Sequence, residues 1–429
     1  MTRLSETTAA VCVLFIFLVP LAAAGLALIN TGLGRSRSAA HSMLSSLCVL
    51  AVAVVVYFLC GFSWQGIAGG PAHVVTVAGK AWSWIAAEPF FFRGLQREGS
   101  AASLAALLQM FSVGLAALIP LGAGTDRWRL GAACASTALL AGCTYPIFAH
   151  WVWGGGWLAQ LGVNCGLGRG YLDAGGAGCI QTVGGLTAWS IACILGPRRG
   201  KYAMDGAPAA IPGHNAVLVL LGCFLALAGW LGVNCASSIL NASAVPGAMA
   251  GVAIDTMLAA AMAALAAAVI TRVRFGRPDA SLCANGWVGG LVASSAACAF
   301  MTPAAAALTG LVAGALVTFS VEWLDIRLGV DDPAGSISVH AISGIWGVLA
   351  LGIFARIPGD SGQLVAQLAG VATLLGFVLP LTYSLNWLLN RFYPQRVAAE
   401  GERQGMDLYE LGAGAYPEFV IHREDLTQG

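Results

Sequence analysis

His340 is the one histidine of this 429-residue chain that lies deep inside an apolar, membrane-length segment, the run that opens at Asp331-Asp332-Pro333 and continues through Val339-His340-Ala341. An ionisable side chain is costly in a bilayer and normally faces a bundle interior or a conduction path. The plainer alternative is a histidine satisfied by a neighbouring helix. Asp332 precedes His340 by eight residues and Gly344 follows it by four; Asp173, Gln181 and Gly185 repeat that spacing earlier in the chain. A carboxylate at a helix start accepts backbone N–H groups and is favoured by the helix dipole. Glutamine both donates and accepts hydrogen bonds, so Gln181 can orient an imidazole, but it cannot titrate like one.

These residues need membrane-spanning helices to position them. The chain is 58% hydrophobic and 10% charged, with a mean hydropathy of +0.79; a soluble domain carries about 25% charged residues. A net charge of +1 argues against a nucleic-acid partner. The 12 cysteines are scattered through apolar stretches, with no CxxC pair and no metal-ligand spacing. They read as reduced, buried small side chains; only Cys165 and Cys179 leave a disulfide conceivable. No Ser/His/Asp arrangement or phosphate-binding glycine loop points to an enzyme, and no cofactor is implied. The first apolar run could mimic a signal peptide, but it continues to Asn30, and its stronger basic flank, Arg35 and Arg37, follows it. It therefore reads as a retained first helix.

A spanning helix needs about 20 apolar residues. Eleven stretches qualify: Thr8–Asn30, Ala40–Phe62, Ala101–Leu121, Leu130–Ala149, Ala174–Leu195, Ala216–Ser237, Ala248–Val269, Leu282–Phe300, Ala304–Val321, Ile337–Ala355 and Leu364–Leu389. The fifth and eighth are the weakest. Placing the N-terminus outside puts 15 of the 21 basic residues on the inner side and leaves Arg3, Lys80, Arg93, Arg97, Arg169 and Arg356 outside, as the positive-inside rule requires. The expected architecture is an all-α membrane domain over 1–390, N-out and C-in, with a polar cytosolic tail over 391–429. The long outer segment 63–100, with its aromatic residues, is expected to lie against the membrane surface.

Two five-helix halves of opposite topology are a recurrent transporter plan. Gly25 to Asn30 in the first span and Gly229 to Asn234 in the sixth share one spacing, as do the segments that carry Gln181 and His340. With a five-helix offset, Gln181 and His340 would meet near the midplane from opposite directions.

Many ordered motifs together resemble the ammonium transporters of the Amt/Mep/Rh superfamily over almost the whole chain. They are Gly25-Leu26-Ala27-Leu28, His150-Trp151-Val152-Trp153-Gly154, Asp173-Ala174-Gly175-Gly176, Gly229 to Asn234, Asp331-Asp332-Pro333, His340, and Gly405-Met406-Asp407-Leu408 with Ala415-Tyr416-Pro417. The resemblance implies eleven helices with a five-plus-five inverted repeat plus a final helix, and homotrimers with one pore per subunit in the plasma or inner membrane. It makes Trp153 the cation–π wall of an outer ammonium site, although a tryptophan there is otherwise an interfacial belt residue. It makes Ser237 an acceptor at that site, against plain small-residue packing, and Asp173 the support of the vestibule.

The family's aromatic gate positions fall on Ser112 and Val233, which leaves Phe111 to serve as gate through a local shift, or a wider constriction. The family's two facing pore histidines fall on Gln181 and His340, so this chain keeps one. The implied function is ammonium transport, with deprotonation near the mouth and passage of ammonia. The alternatives are a transport-poor ammonium receptor that signals through its tail, and a channel for another small gas. A PII-type protein is the implied cytosolic partner; Glu410-Leu411-Gly412 stands where the family has Glu-His-Gly.

Overall fold

The computed structural model describes residues 4–95, 100–204, 206–355 and 361–416. Arg3, Arg97, Arg356 and the tail from Pro417 onward lie outside the described residues. The fold is built of helices α1 (Glu6–Leu33), α2 (Ser36–Gln65), α3 (Ala101–Gly124), α4 (Leu130–Cys165), α5 (Ala177–Leu195) and α6 (Ala216–Ala242). They are followed by α7 (Pro246–Phe275), α8 (Ala280–Ser295), α9 (Pro303–Arg327), α10 (Ile337–Phe354) and α11 (Gln363–Phe392). A short α12 (Ala399–Gln404) and one turn, Asp407–Leu411, form the tail.

Among the described residues ten of these are long and apolar enough to cross a membrane. The exception is α8. The sequence places a full span at Leu282–Phe300, but the helix stops after 16 residues, about 24 Å at ~1.5 Å per residue, short of the ~30 Å hydrocarbon core. Its end is met by a segment distant in the chain. The Ser295 and Ala296 carbonyls accept from Gly175 and Ala174, at 2.8 and 2.9 Å. With those last-turn acceptors occupied from outside, the chain turns over at 296–301.

The segment after α2, expected as a membrane-surface stretch, forms a hairpin. Ala72–Val77 (β1) and Lys80–Ala86 (β2) pair antiparallel around Ala78 and Gly79, both at positive φ, as a two-residue hairpin turn requires. Phe91 and Phe92 then fold back edge-on against Phe58. All 12 cysteines, Cys165 and Cys179 among them, are free thiols.

Glycine brings the two halves of the chain together. A Cβ on Gly25 of α1 would collide with the backbone of Ala226 in α6, and one on Gly229 of α6 with the backbone of Ala22 in α1. Close approach of this kind supplies the dispersion contact that stands in for a hydrophobic drive between helices in lipid. The contact is reciprocal: Ala22 and Gly25 are spaced as Ala226 and Gly229 are, as a two-fold relation leaves them.

Candidate functional site

The same reciprocity sets up the centre of the molecule. A Cβ on Gly185 would strike the Ala341 backbone, and one on Gly344 would strike Thr182 Oγ1 and the Ala177 carbonyl. The bare backbones let α5 and α10 cross tightly where each begins with a wide, π-type turn, Ala177–Thr182 and Ile337–Ile342. Gln181 and His340 project from those turns, both buried.

They touch: the imidazole Nδ1 is 2.8 Å from Gln181 Oε1. An amide oxygen only accepts, so Nδ1–H donates and Nε2 keeps its lone pair. Gln181 Nε2 has no partner among the described residues. The pair therefore presents one acceptor and a free N–H donor group inside an apolar bundle. That arrangement suits a small neutral molecule that both donates and accepts.

Asp173 lies just before α5. Its carboxylate accepts from the N–H groups of Gly176, Gly178 and Cys179, at 2.9, 2.9 and 2.8 Å. Its backbone carbonyl accepts from Trp153 Nε1 at 2.7 Å. Trp153 ends the first part of α4, where Gly154-Gly155-Gly156 breaks the helix. The carboxylate thus shapes the start of α5 while the same residue's carbonyl holds the indole. The loop is stitched further by Asn241 Nδ2, which donates to the Ala174 carbonyl at 3.0 Å. Sequence reading did not single out Asn241. Its signal was only a polar side chain at the end of an apolar span.

Ser237 is buried on α6, one turn from Asn234, whose amide donates to Thr256 Oγ1 at 2.9 Å. Val233 is buried as well. On α3, Ser112 is buried and donates to the Leu108 carbonyl. Phe111 lies one residue round, on the half-buried stripe with Leu104 and Leu107. The structure thus joins Trp153 to Asp173 and Gln181 to His340, and sets Phe111 on a different face of α3 from Ser112.

Beneath the pair, loops that the sequence scatters converge at one end. Arg198 binds Asp331 through Nε and Nη2, both at 2.9 Å, and Asp126 at 3.2 Å. Burial alone would push the Asp331 carboxyl up, but the Arg198 hydrogen bonds and charge hold it below the usual carboxylate range. Burial brings the Arg127 guanidinium down to about 10, against the opposing pull of Asp331. The tail packs on this layer. Buried Glu402 accepts from Arg396 at 2.8 Å, and Asp407 accepts from the His41 N–H at 2.8 Å. Glu410 bonds His41 Nε2 and the Leu130 N–H at 2.8 and 2.9 Å. Among the described residues no cluster of side chains suits a metal ion.

Helical spans, a buried polar pair at their crossing and an aromatic shelf at one end define a membrane transport protein. Residues 10–416 match the Ammonium Transporter Family. The chain is 35% identical over 434 residues to Ammonium transporter Amt2 of Archaeoglobus fulgidus, which covers 96% of this chain and 88% of that one. It is 29% identical over 422 residues to the Ammonium transporter of Bacillus subtilis, with 95% and 97% covered. Among solved structures it is similar to a Sensor Amt Protein, with a TM-score of 0.84, 28% identity, and 94% of this chain and 98% of that one covered. It shares its fold with Candida albicans Mep2 at a TM-score of 0.80 and 22% identity, with 97% and 92% covered. The chain belongs to the ammonium transporter family.

Proposed function

We propose that each subunit carries ammonium across the membrane by recruiting it beside Trp153 and Ser237, taking its proton near the mouth, and passing ammonia between Gln181 and His340. The observation that carries this reading is the buried Gln181–His340 contact at the crossing of two matched helices. Ammonia there can donate to His340 Nε2 and accept from Gln181 Nε2. Asp173 supports the vestibule through the Trp153 indole, and Phe111 serves as gate after a local shift of α3.

In this reading α8 together with the turns at 296–301 completes eleven spans, N-out and C-in, in a five-plus-five inverted repeat with a final helix. The spans over 1–390 form the membrane domain, the tail over 391–429 faces the cytosol, and the subunits form homotrimers in the plasma or inner membrane. The packed tail and inner loops would receive a PII-type partner.

One feature favours a second reading, an ammonium receptor with little transport: Gln181 cannot exchange a proton with His340. Proteoliposomes separate the two. Transport predicts an ammonium-induced current or internal pH change above empty liposomes. Neither signal, together with ammonium-dependent binding of a cytosolic partner, establishes the receptor. Gln181→His is expected to raise the current, because two imidazoles can relay a proton where an amide cannot; an unchanged current means that no relay runs through this pair.

A further inference from the structure

A groove of about 440 Å³ opens on the flank of the molecule, away from the Gln181–His340 crossing, between α4, the β hairpin and α11. One wall is three tryptophans from three segments. Trp84 of β2 stacks on Trp157 with centroids 6.0 Å apart, and Trp151 meets Trp157 at 5.8 Å and Phe377 of α11 at 4.7 Å. The opposite wall is α11, where Ala372 and Gly376 leave the space open. A Cβ on Gly376 would meet nothing within 4 Å.

Two observations say what fills it. First, the groove is continuous with an exposed apolar surface on a membrane-length helix. On α11, Leu364, Val365, Leu368 and Leu375 are 39–51% exposed, as a helix against lipid must be. An open apolar groove in such a surface is covered by hydrocarbon, and clustered tryptophans mark the interfacial level of a membrane. Second, the wall has one polar atom to spare. Trp151 Nε1 donates to the Trp84 carbonyl at 2.7 Å, but Trp157 Nε1 is buried with no acceptor among the described residues. A buried donor left unpaired is destabilising, and an acceptor in the groove beside the indole would satisfy it.

We propose that this groove is a site for one glycerophospholipid, with an acyl chain lying between the tryptophans and Gly376 and an ester oxygen accepting from Trp157 Nε1–H. The chain braces Trp151 and Trp157 on either side of the Gly154–Gly156 break that carries Trp153. The leaflet, the outer one, rests on the orientation proposed above; occupancy of the groove does not, and the test needs no flux.

The full chain is reconstituted in phosphatidylcholine vesicles with a phosphatidylcholine that carries a photoactivatable diazirine in its acyl chain, illuminated, and mapped by peptide mass. Peptides with Trp151–Trp157 and with residues 369–377 are expected to take up about tenfold more label than the exposed apolar parts of α7 and α9, the preference of a site a decade tighter than bulk lipid. Ala372→Leu combined with Gly376→Leu fills the groove and should bring that label down to the α7 and α9 level without altering theirs. Equal labelling of all faces in the native chain means annular lipid only and overturns the site. So does a photo-crosslinker at Phe377 that joins two copies of the chain instead of capturing lipid.

Discussion

Asp173 and Asp332 occupy matched positions, each eight residues before the side chain it serves, yet they are held in opposite ways. Asp173 spends both carboxylate oxygens on three backbone N–H groups of the turn that follows it, and its carbonyl fixes Trp153. Asp332 accepts from the Ile337 N–H at 2.7 Å through one oxygen, while its other oxygen has no partner among the described residues. One carboxylate is a rigid keystone and the other a half-used cap. A shared fold element can thus be tuned to structure on one side and left available on the other.

Removing each carboxylate should expose the difference, with the largest effect at Asp173. Hydrogen bonds to a charged group contribute about 1.5–3 kcal/mol each, and Asp173→Ala removes three. It is expected to abolish ammonium-induced current and lower the melting temperature in detergent sharply. Asp332→Ala should leave a folded protein with reduced current. Equal losses in the two variants would erase the contrast.

Next in size is the charged layer beside Asp332. Asp331→Asn removes the charge that Arg198 binds through two nitrogens and leaves Asp126 as its remaining carboxylate; breaking a buried ion pair costs about 3–5 kcal/mol. The folded-state carboxyl titrates below the ordinary value, near pH 3.9 in a free chain. Its stabilisation is therefore complete above about pH 4 and is lost as pH falls through the lowered value. Melting temperatures of native and Asp331→Asn protein should differ most at neutral pH and converge in acid. A gap that stays constant with pH would place the loss in packing.

The glycines of the crossing come third. Gly185→Ala sets a methyl against the Ala341 backbone, which cannot move aside, whereas Gly344→Ala meets the Thr182 hydroxyl as well as the Ala177 carbonyl. Overpacking costs about 1–3 kcal/mol, and thermal unfolding should put Gly185→Ala toward the upper end and Gly344→Ala below it.

Much of this pairing could be read in the sequence, because helical periodicity and fixed spacing survive in one dimension. Hydropathy located the spans, and the shared offset from aspartate to Gln181 and to His340 anticipated their contact. What failed depended on distant segments. α8 ends early because amides from 174–175 take its carbonyls, more than 100 positions away in the chain. The hairpin did carry a local signal: β-branched Val74-Val75-Thr76-Val77 and alternating Trp82 and Trp84 flank Ala78-Gly79. Its aromatic residues masked it by resembling a membrane-surface stretch. The hold of Asp173 on Trp153 runs through a backbone carbonyl, which no side-chain motif records.

That hold leads to the smallest and most discriminating effect. A tryptophan face attracts a cation by roughly 0.5–2 kcal/mol, so Trp153→Leu should raise the ammonium concentration for half-maximal current by about 2- to 30-fold, at ~1.4 kcal/mol per decade. The indole has a second duty, because its N–H is bonded to Asp173. Trp153→Phe keeps a ring face and loses that donor. If the face is what matters, the phenylalanine variant should fall between native and leucine. If both variants are equally impaired, the link from Trp153 to the Asp173 keystone outweighs the ring, and the vestibule depends on its scaffold more than on its aromatic wall.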